Sequence, residues 1–155
     1  MRIVFDLDGT LSNDEHQAHY LTGGKKDWDA YFDACAGDTP HTHIITLLKA
    51  LANDGHHIEI WTGRSERVRD KTIAWLAKQG IIVDTPSRPA LYDVAALRMR
   101  SEGDFQPDFR LKYLWLVAAQ ARDEAPYIVF EDRDQVVAMW REYGIPCCQV
   151  APGKF

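Results

Sequence analysis

Short apolar runs that stop at a carboxylate or a hydroxyl, with stretches of helical periodicity between them, restrict the fold of this sequence more than any other feature. Arg2 to Phe5 is a β-branched and aromatic run that ends on Asp6 and reads as a buried strand. His57 to Trp61 alternates into a second strand ending on Thr62, Tyr127 to Phe130 into another ending on Glu131, and Cys147 to Val150 into a last one. Ile81 to Val83 and Ala95 to Met99 are further strand candidates. The stretches between them carry helical spacing and helical punctuation. Thr39-Pro40 has the form of an N-cap followed by a first-turn proline, opening a helix through Ile44, Ile45, Leu48 and Leu51 that Gly55 ends. Ser65 caps a helix carrying Val68, Trp75 and Leu76 that stops at Gly80. Asp108 begins one through Leu111, Trp115 and Ala118, and Asp134 to Tyr143 forms another that stops at Gly144. Strand and helix in alternation imply right-handed crossovers and an α/β fold, a central parallel sheet with helices on both faces. In such a sheet a ligand sits beyond the carboxyl ends of the strands, which is where Asp6, Thr62 and Glu131 fall.

At 155 residues the chain is read as a single domain spanning 1–155. Its 18 Lys plus Arg against 23 Asp plus Glu leave a net charge of −5, which argues against gripping nucleic acid by bulk charge but allows a local basic site. No apolar run approaches the roughly 20 residues of a membrane span, so no membrane association is expected. Met1-Arg2 leads straight into the first strand without the apolar segment of a secretory leader. Cys35, Cys147 and Cys148 form neither a disulfide framework nor a metal spacing, and a reduced, cytoplasmic setting is the expectation. The histidine pairs His16 and His19, His41 and His43, and His56 and His57 lack a Cys or carboxylate at a familiar zinc spacing, so a zinc site is not expected, and His16 with His19 is read as polar flap surface.

Asp6-Leu7-Asp8-Gly9-Thr10 places two carboxylates one residue apart directly after a strand. In an extended chain they point oppositely, but a turn at Asp8-Gly9 can swing both toward one pocket. The plain alternative is a strand with an Asp-Gly turn. The chemical one is Asp6 as a nucleophile toward phosphorus, with Asp8 as the neighbouring acid and base. Two anions so close call for a cation, and Glu131 and Asp132 could supply further oxygen ligands for Mg²⁺, unless they belong to a solvated acidic loop. Thr62-Gly63-Arg64 offers a hydroxyl, an amide and a guanidinium before a helix, a set suited to a phosphate or simply a strand-to-helix turn. Lys112, near the start of a helix, is either solvated or holds a phosphate.

Taken in order, Asp6-Leu7-Asp8-Gly9-Thr10, Thr62, Lys112 and the acidic pair at 131 and 132 resemble the motifs of haloacid dehalogenase-like phosphatases. A closer resemblance is to the 3′-phosphatase domain family of bacteriophage polynucleotide kinase-phosphatases. It rests on Trp61-Thr62-Gly63-Arg64, on Arg100-Ser101-Glu102-Gly103-Asp104 running to Asp108 and Lys112, on Glu131-Asp132-Arg133, and on the ending Cys148-Gln149-Val150-Ala151 with Gly153 and Phe155. The resemblance implies a three-layer Rossmann-like fold and a phosphoric monoester hydrolase. It makes Asp6 the nucleophile and a metal ligand, and Asp8 the acid and base, giving its backbone carbonyl to Mg²⁺. Thr62, Gly63 and Lys112 would hold the phosphoryl group, Arg64 and Arg100 would contact substrate phosphate, Asp108 would orient Lys112, and Asp132 would complete the metal site. The family usually has Asp-Asp where this chain has Glu131-Asp132, so which of the two touches the metal is left open.

Residues 11–38 are too few for a full cap domain, and a small helical flap is expected, leaving room for a polymer end. Trp28, Tyr31, Phe32 and Cys35 share one helical face there, which either packs the flap or, through the aromatics, stacks on bases. Arg98 and Arg100 alternate on a strand, either as a solvated face or as phosphate contacts. No Gly-x-x-x-x-Gly-Lys-Ser/Thr occurs, so no ATP site is expected. The favoured substrate is a 3′-phosphate on a DNA or RNA end, with a nucleoside monophosphate as the alternative. A non-catalytic receiver-like domain and an inactive end-binding module are the other classes. Against the receiver, Thr62 rather than Asp follows the second strand.

Overall fold

The computed structural model describes residues 1–22, 26–84 and 95–153. Arg2–Phe5 (β1) is the centre of a five-stranded sheet whose other members are His57–Ser65 (β4), Ala96–Arg100 (β5), Ile128–Arg133 (β6) and Cys147–Gly153 (β7). The order is β5-β4-β1-β6-β7, and every pairing is parallel. Alternation along β1 assigns its side chains to two apolar layers. Ile3 and Phe5 join Ile58, Ile60, Leu76 and Trp75 on one face, whereas Val4 joins Trp61, Val129, Leu116 and Trp140 on the other. The first layer includes residues of Thr42–Asn53 (α2) and Arg69–Lys78 (α3), the second residues of Asp108–Gln120 (α4) and Asp134–Glu142 (α5). This is the Rossmann-like arrangement with helices on both faces. No helix among the described residues is long and apolar enough to cross a membrane.

Two elements depart from the sequence pattern. Thr39–Pro40 (β3) pairs antiparallel with Ser12–Asn13 (β2) instead of opening α2, which begins at Thr42. A two-residue edge strand tolerates proline because no central ladder needs its missing N–H. Ile81 to Val83 is not a sheet strand. Val83 makes one isolated bridge to Ala95, and the Asp84 carboxylate accepts the Leu97 amide at 3.0 Å, taking a donor that a continued ladder would use. Ile81 and Val83 are nonetheless buried in the α2 and α3 layer. The strands β4 and β6 both run past their expected ends through the polar residues, with register shifts between Thr62 and Ser65 and between Glu131 and Arg133. Such irregularities re-aim side chains at a strand end.

The stretch 11–38 holds β2, a 3₁₀ turn over Glu15–Leu21, the short helix Trp28–Asp33 (α1) and a second 3₁₀ turn over Ala34–Gly37. Tyr31, Phe32 and Cys35 are buried in the main core, while Trp28 keeps 38% of its surface exposed. Packing thus accounts for most of the aromatic stripe. The Gly23-Gly24 pair and the terminal Phe155 lie outside the described residues.

Candidate active site

The strand ends meet at one acidic centre. Asp6 continues β1 by donating its amide to Phe130 O at 2.9 Å, which carries its side chain beyond the apolar layers. Lys112, from the second turn of α4, donates to Asp6 Oδ1 at 2.5 Å and to Glu131 Oε2 at 2.8 Å, and lies 3.3 Å from Asp108 Oδ2. It is 1% exposed, so the solvated reading of Lys112 is overturned. Glu131 and Asp132 are likewise buried, not part of a solvated loop. Gly9 turns with φ +81°, and any Cβ there would collide with the Asp132 carboxylate. The Asp-Gly turn therefore needs glycine for both its backbone and its close approach to Asp132. Gly63 is confined similarly, since a Cβ would lie 2.5 Å from Asp108 Oδ1.

Asp8 points toward β4. Arg64 Nε donates to Asp8 Oδ1 at 2.9 Å and to Oδ2 at 3.0 Å, and Arg64 Nη2 reaches Oδ1 at 2.5 Å. Thr62 Oγ1 lies 3.5 Å from Asp8 Oδ2 and accepts the Arg64 amide at 3.1 Å. The Arg64 guanidinium is fully buried and also pairs with Asp38, from the far end of the 11–38 stretch. Arg64 is thus spent on protein carboxylates. Arg100 is directed inward as well, donating to Gly63 O at 2.8 Å, Gln106 O at 2.7 Å and Asp108 Oδ1 at 3.2 Å. Arg98 lies on neither a solvated face nor a phosphate path: its guanidinium stacks 4.8 Å from the Trp61 ring and 5.6 Å from Trp115. Asp134 accepts from Gln149 Nε2 at 2.6 Å, apart from the acidic group.

Oxygen atoms of Asp6, Glu131 and Asp132 lie within 4.8 Å of one another. Burial, then the charge of Glu131, pushes the Asp6 carboxyl well above its ordinary range, with Lys112 opposing. Burial likewise raises Glu131 to about 7, and burial with the neighbouring Asp6 raises Asp132 to about 7. Burial works against the charge of Asp108 too, but Lys112, Arg133 and Arg100 outweigh it and hold that carboxyl below its usual value. Lys112 is the reverse case, its ammonium kept by Asp108, Asp6 and Glu131 despite burial. The donor set around Asp6 and Asp132 is all oxygen, buried and more negative than Lys112 alone offsets, which fits a hard divalent ion such as Mg²⁺.

Sequence reading missed Asp38 and Phe105. Asp38 precedes a Thr-Pro pair that resembles a cap, and nothing local points it at Arg64. Phe105 sits in a polar loop and is 89% exposed. It lines a cavity of about 790 Å³ together with Asp6, Asp8, Trp28, Gly63 and Asp132.

A family model described as the polynucleotide kinase PNKP phosphatase domain matches residues 1–155. A protein provisionally named a bifunctional polynucleotide kinase/RNA ligase, from Autographa californica nuclear polyhedrosis virus, is 28% identical over 150 residues. That match covers 93% of this chain and 18% of the viral protein. A chain in the structure of the Pnkp1/Rnl/Hen1 RNA repair complex superposes with a TM-score of 0.76 at 28% identity, over 99% of this chain and 43% of that one. This chain therefore spans less than half the length of those relatives. The class C acid phosphatase from Bacillus anthracis, 22% identical with a TM-score of 0.60 over 87% of this chain and 52% of its own, shares the fold.

Proposed function

The chain belongs to the family of polynucleotide kinase phosphatase domains, with the haloacid dehalogenase-like fold, and from that premise we propose that it is a Mg²⁺-dependent phosphomonoesterase that removes the 3′-terminal phosphate from polynucleotide ends. The observation that carries this reading is the buried contact of Lys112 with Asp6 and Glu131, with Asp8 two residues beyond Asp6 and lining the same cavity. An Asp6 carboxylate oxygen attacks phosphorus, the bond to the ester oxygen breaks, and Asp8 gives that oxygen its proton. Asp8 then takes a proton from water, which attacks the aspartyl-phosphate, breaks the bond to Asp6 and frees inorganic phosphate.

The other groups serve this sequence by position and charge. Lys112 Nζ, the Thr62 hydroxyl and the Gly63 amide provide donors for the phosphoryl oxygens, and phosphoryl transfer needs little beyond such alignment and neutralisation. Asp108 keeps Lys112 charged and oriented. Arg64 acts on Asp8 instead of on the substrate, fixing the carboxylate by a two-point contact and tying it to Asp38. The Asp6 and Asp132 carboxylates, with the Asp8 carbonyl, would hold Mg²⁺, which when bound neutralises charge on the phosphoryl group. The polymer-end substrate is supported by the family and by the shallow flap, and a cytoplasmic setting is in keeping with three free cysteines.

The test is phosphate release from a 3′-phosphorylated oligonucleotide, its 5′-phosphorylated counterpart and free mononucleotides, with Mg²⁺ and with chelator. We expect the 3′-oligonucleotide to be preferred, chelator to abolish turnover, and Asp6→Asn to lose essentially all activity with its melting transition retained. Mononucleotides hydrolysed far faster than either oligonucleotide would transfer the assignment to a nucleotidase. Substantial turnover by pure, folded Asp6→Asn would remove Asp6 as nucleophile.

A further inference from the structure

Arg98 stands off the path of the substrate phosphate, yet stacking alone does not satisfy it. The Trp61 and Trp115 rings attract its charge, but its N–H groups lie in the guanidinium plane and need acceptors at the edge. Its side chain forms no ion pair among the described residues, and its Nη1 is a buried donor without a hydrogen-bond partner among them. Burial, above all, holds the group below its ordinary value; Arg122 and Arg2 lower it further, and Glu59 and Glu124 oppose them. The guanidinium lines a cavity of about 260 Å³ that shares no described lining residue with the catalytic one. Arg2 opens β1, Ala96 opens β5 and Arg122 follows the last turn of α4, so this cavity lies by the strand starts, at the opposite edge of the sheet from Asp6.

Three carboxylates also line it, but each is already engaged. Glu59 pairs with Arg2 Nε at 2.6 Å and accepts the Trp61 indole at 2.7 Å, Asp84 accepts the Leu97 amide at 3.0 Å, and Glu124 takes Arg122 Nε at 2.7 Å. Arg122 is half-exposed, and its two terminal nitrogens have no hydrogen bond among the described residues. Two guanidiniums that repel each other thus share one wall, with donors to spare. We propose that this cavity is a second anion site, holding a free tetrahedral oxyanion of the size of inorganic phosphate between Arg98 and Arg122. An oxyanion brings acceptors, and the planar fork of each arginine suits it. The volume falls below the roughly 300 Å³ from which ordinary small-molecule sites start, which favours the bare ion over a nucleotide. Binding there is independent of the chemistry at Asp6, although phosphate released at Asp6 would be one source of the ion.

The test is an NMR titration of the isotopically labelled protein, in chelator, with sodium phosphate and, at matched ionic strength, with sodium chloride. The Arg98 and Arg122 Nε–H signals and the Trp61 indole report this cavity, and the Gly63 amide reports the catalytic one. Phosphate is expected to shift the first three signals saturably, on an isotherm separate from that of Gly63, and chloride is not. Arg122→Ala, at a half-exposed position beyond the end of α4, should weaken this binding at least about tenfold, as the loss of a charged hydrogen bond does, and leave the Gly63 isotherm and turnover unchanged. Arg98→Lys, which keeps the charge without the fork, should weaken it likewise. Shifts at Arg98 and Arg122 that do not saturate, that chloride reproduces, or that survive undiminished in Arg122→Ala would overturn the site. So would a mononucleotide bound there at least about tenfold more tightly than phosphate, because the recognised group would then be more than the ion. None of these results depends on whether Asp6 hydrolyses a polynucleotide end.

Discussion

Glu131 and Asp132 are adjacent carboxylates with different work to do. Glu131 Oε2 takes the Lys112 ammonium, and its Oε1 accepts the amides of Asp132 at 3.2 Å and Arg133 at 3.3 Å, so both oxygens are engaged within the protein. The longer side chain at 131 is what allows it to fold back onto its own strand end. Asp132 instead lies against the Gly9 turn, where Thr10 Oγ1 approaches Oδ1 at 3.4 Å. On this geometry we propose that Asp132 would hold the metal and that Glu131 would orient Lys112. Asp132→Asn is expected to raise the Mg²⁺ concentration for half-maximal activity at least about tenfold. Glu131→Gln is expected to act mainly on stability, by about 1–3 kcal/mol in urea denaturation, because it weakens a buried charge-assisted bond. A larger Mg²⁺ shift from Glu131→Gln than from Asp132→Asn would reverse the two roles.

At the level of elements, the flap is joined to the sheet through charge as well as packing. Asp38, between the second 3₁₀ turn and β3, pairs with Arg64 of β4, and its backbone carbonyl accepts the Trp75 indole of α3 at 2.8 Å. Its Oδ1 has no hydrogen-bond partner among the described residues and faces His16 at 3.6 Å. Burial, followed by the charge of Asp8, raises the Asp38 carboxyl to about 7, with Arg64 opposing and His16 also lowering it. The sign follows from linkage: the folded value exceeds the unfolded one near 3.9, so the folded protein holds a proton between those limits that the unfolded chain releases. Stability from this group is therefore greatest toward pH 4 and declines as pH rises through about 7. Asp38→Asn, which keeps the shape without the titration, should be favoured relative to wild type by on the order of 1–3 kcal/mol more at pH 8 than at pH 5.5. His16 and Arg64 are present in both proteins, so parallel stability profiles over that range would refute the assignment.

Over the whole molecule, the two faces of the sheet divide the labour. The α2 and α3 face carries the flap and the Arg64 network, while the α4 and α5 face is an aromatic core in which Trp61 meets Trp140 at 5.7 Å and Trp115 at 5.8 Å. Trp140 is fully buried, and Trp140→Ala should cost about 3–5 kcal/mol by denaturant unfolding, through lost burial and the cavity left behind. A loss below 1 kcal/mol would mean that this face repacks freely. The alternation of strands and helices, and the positions of Asp6, Thr62 and Glu131 at strand ends, were legible because they depend on side-chain periods of two and 3.6 within a few residues. Thr39–Pro40 and Ile81 to Val83 were misread for the complementary reason, since a cap and a two-residue edge strand look alike locally, and a buried apolar run need not pair. The same distinction divides the site. Carboxylates just after β1 and in the last residues of β6 follow from the local pattern of apolar runs ending on acidic residues, but Lys112 reaches Asp6 across 106 positions, and Arg64 meets Asp38 across 26. Those meetings depend on the parallel order of the strands and the bulges at their ends. Local patterning therefore specified the chemical groups available to this protein, and the sheet register specified which of them face one another, because burial turns a nearby opposite charge from a weak preference into a requirement.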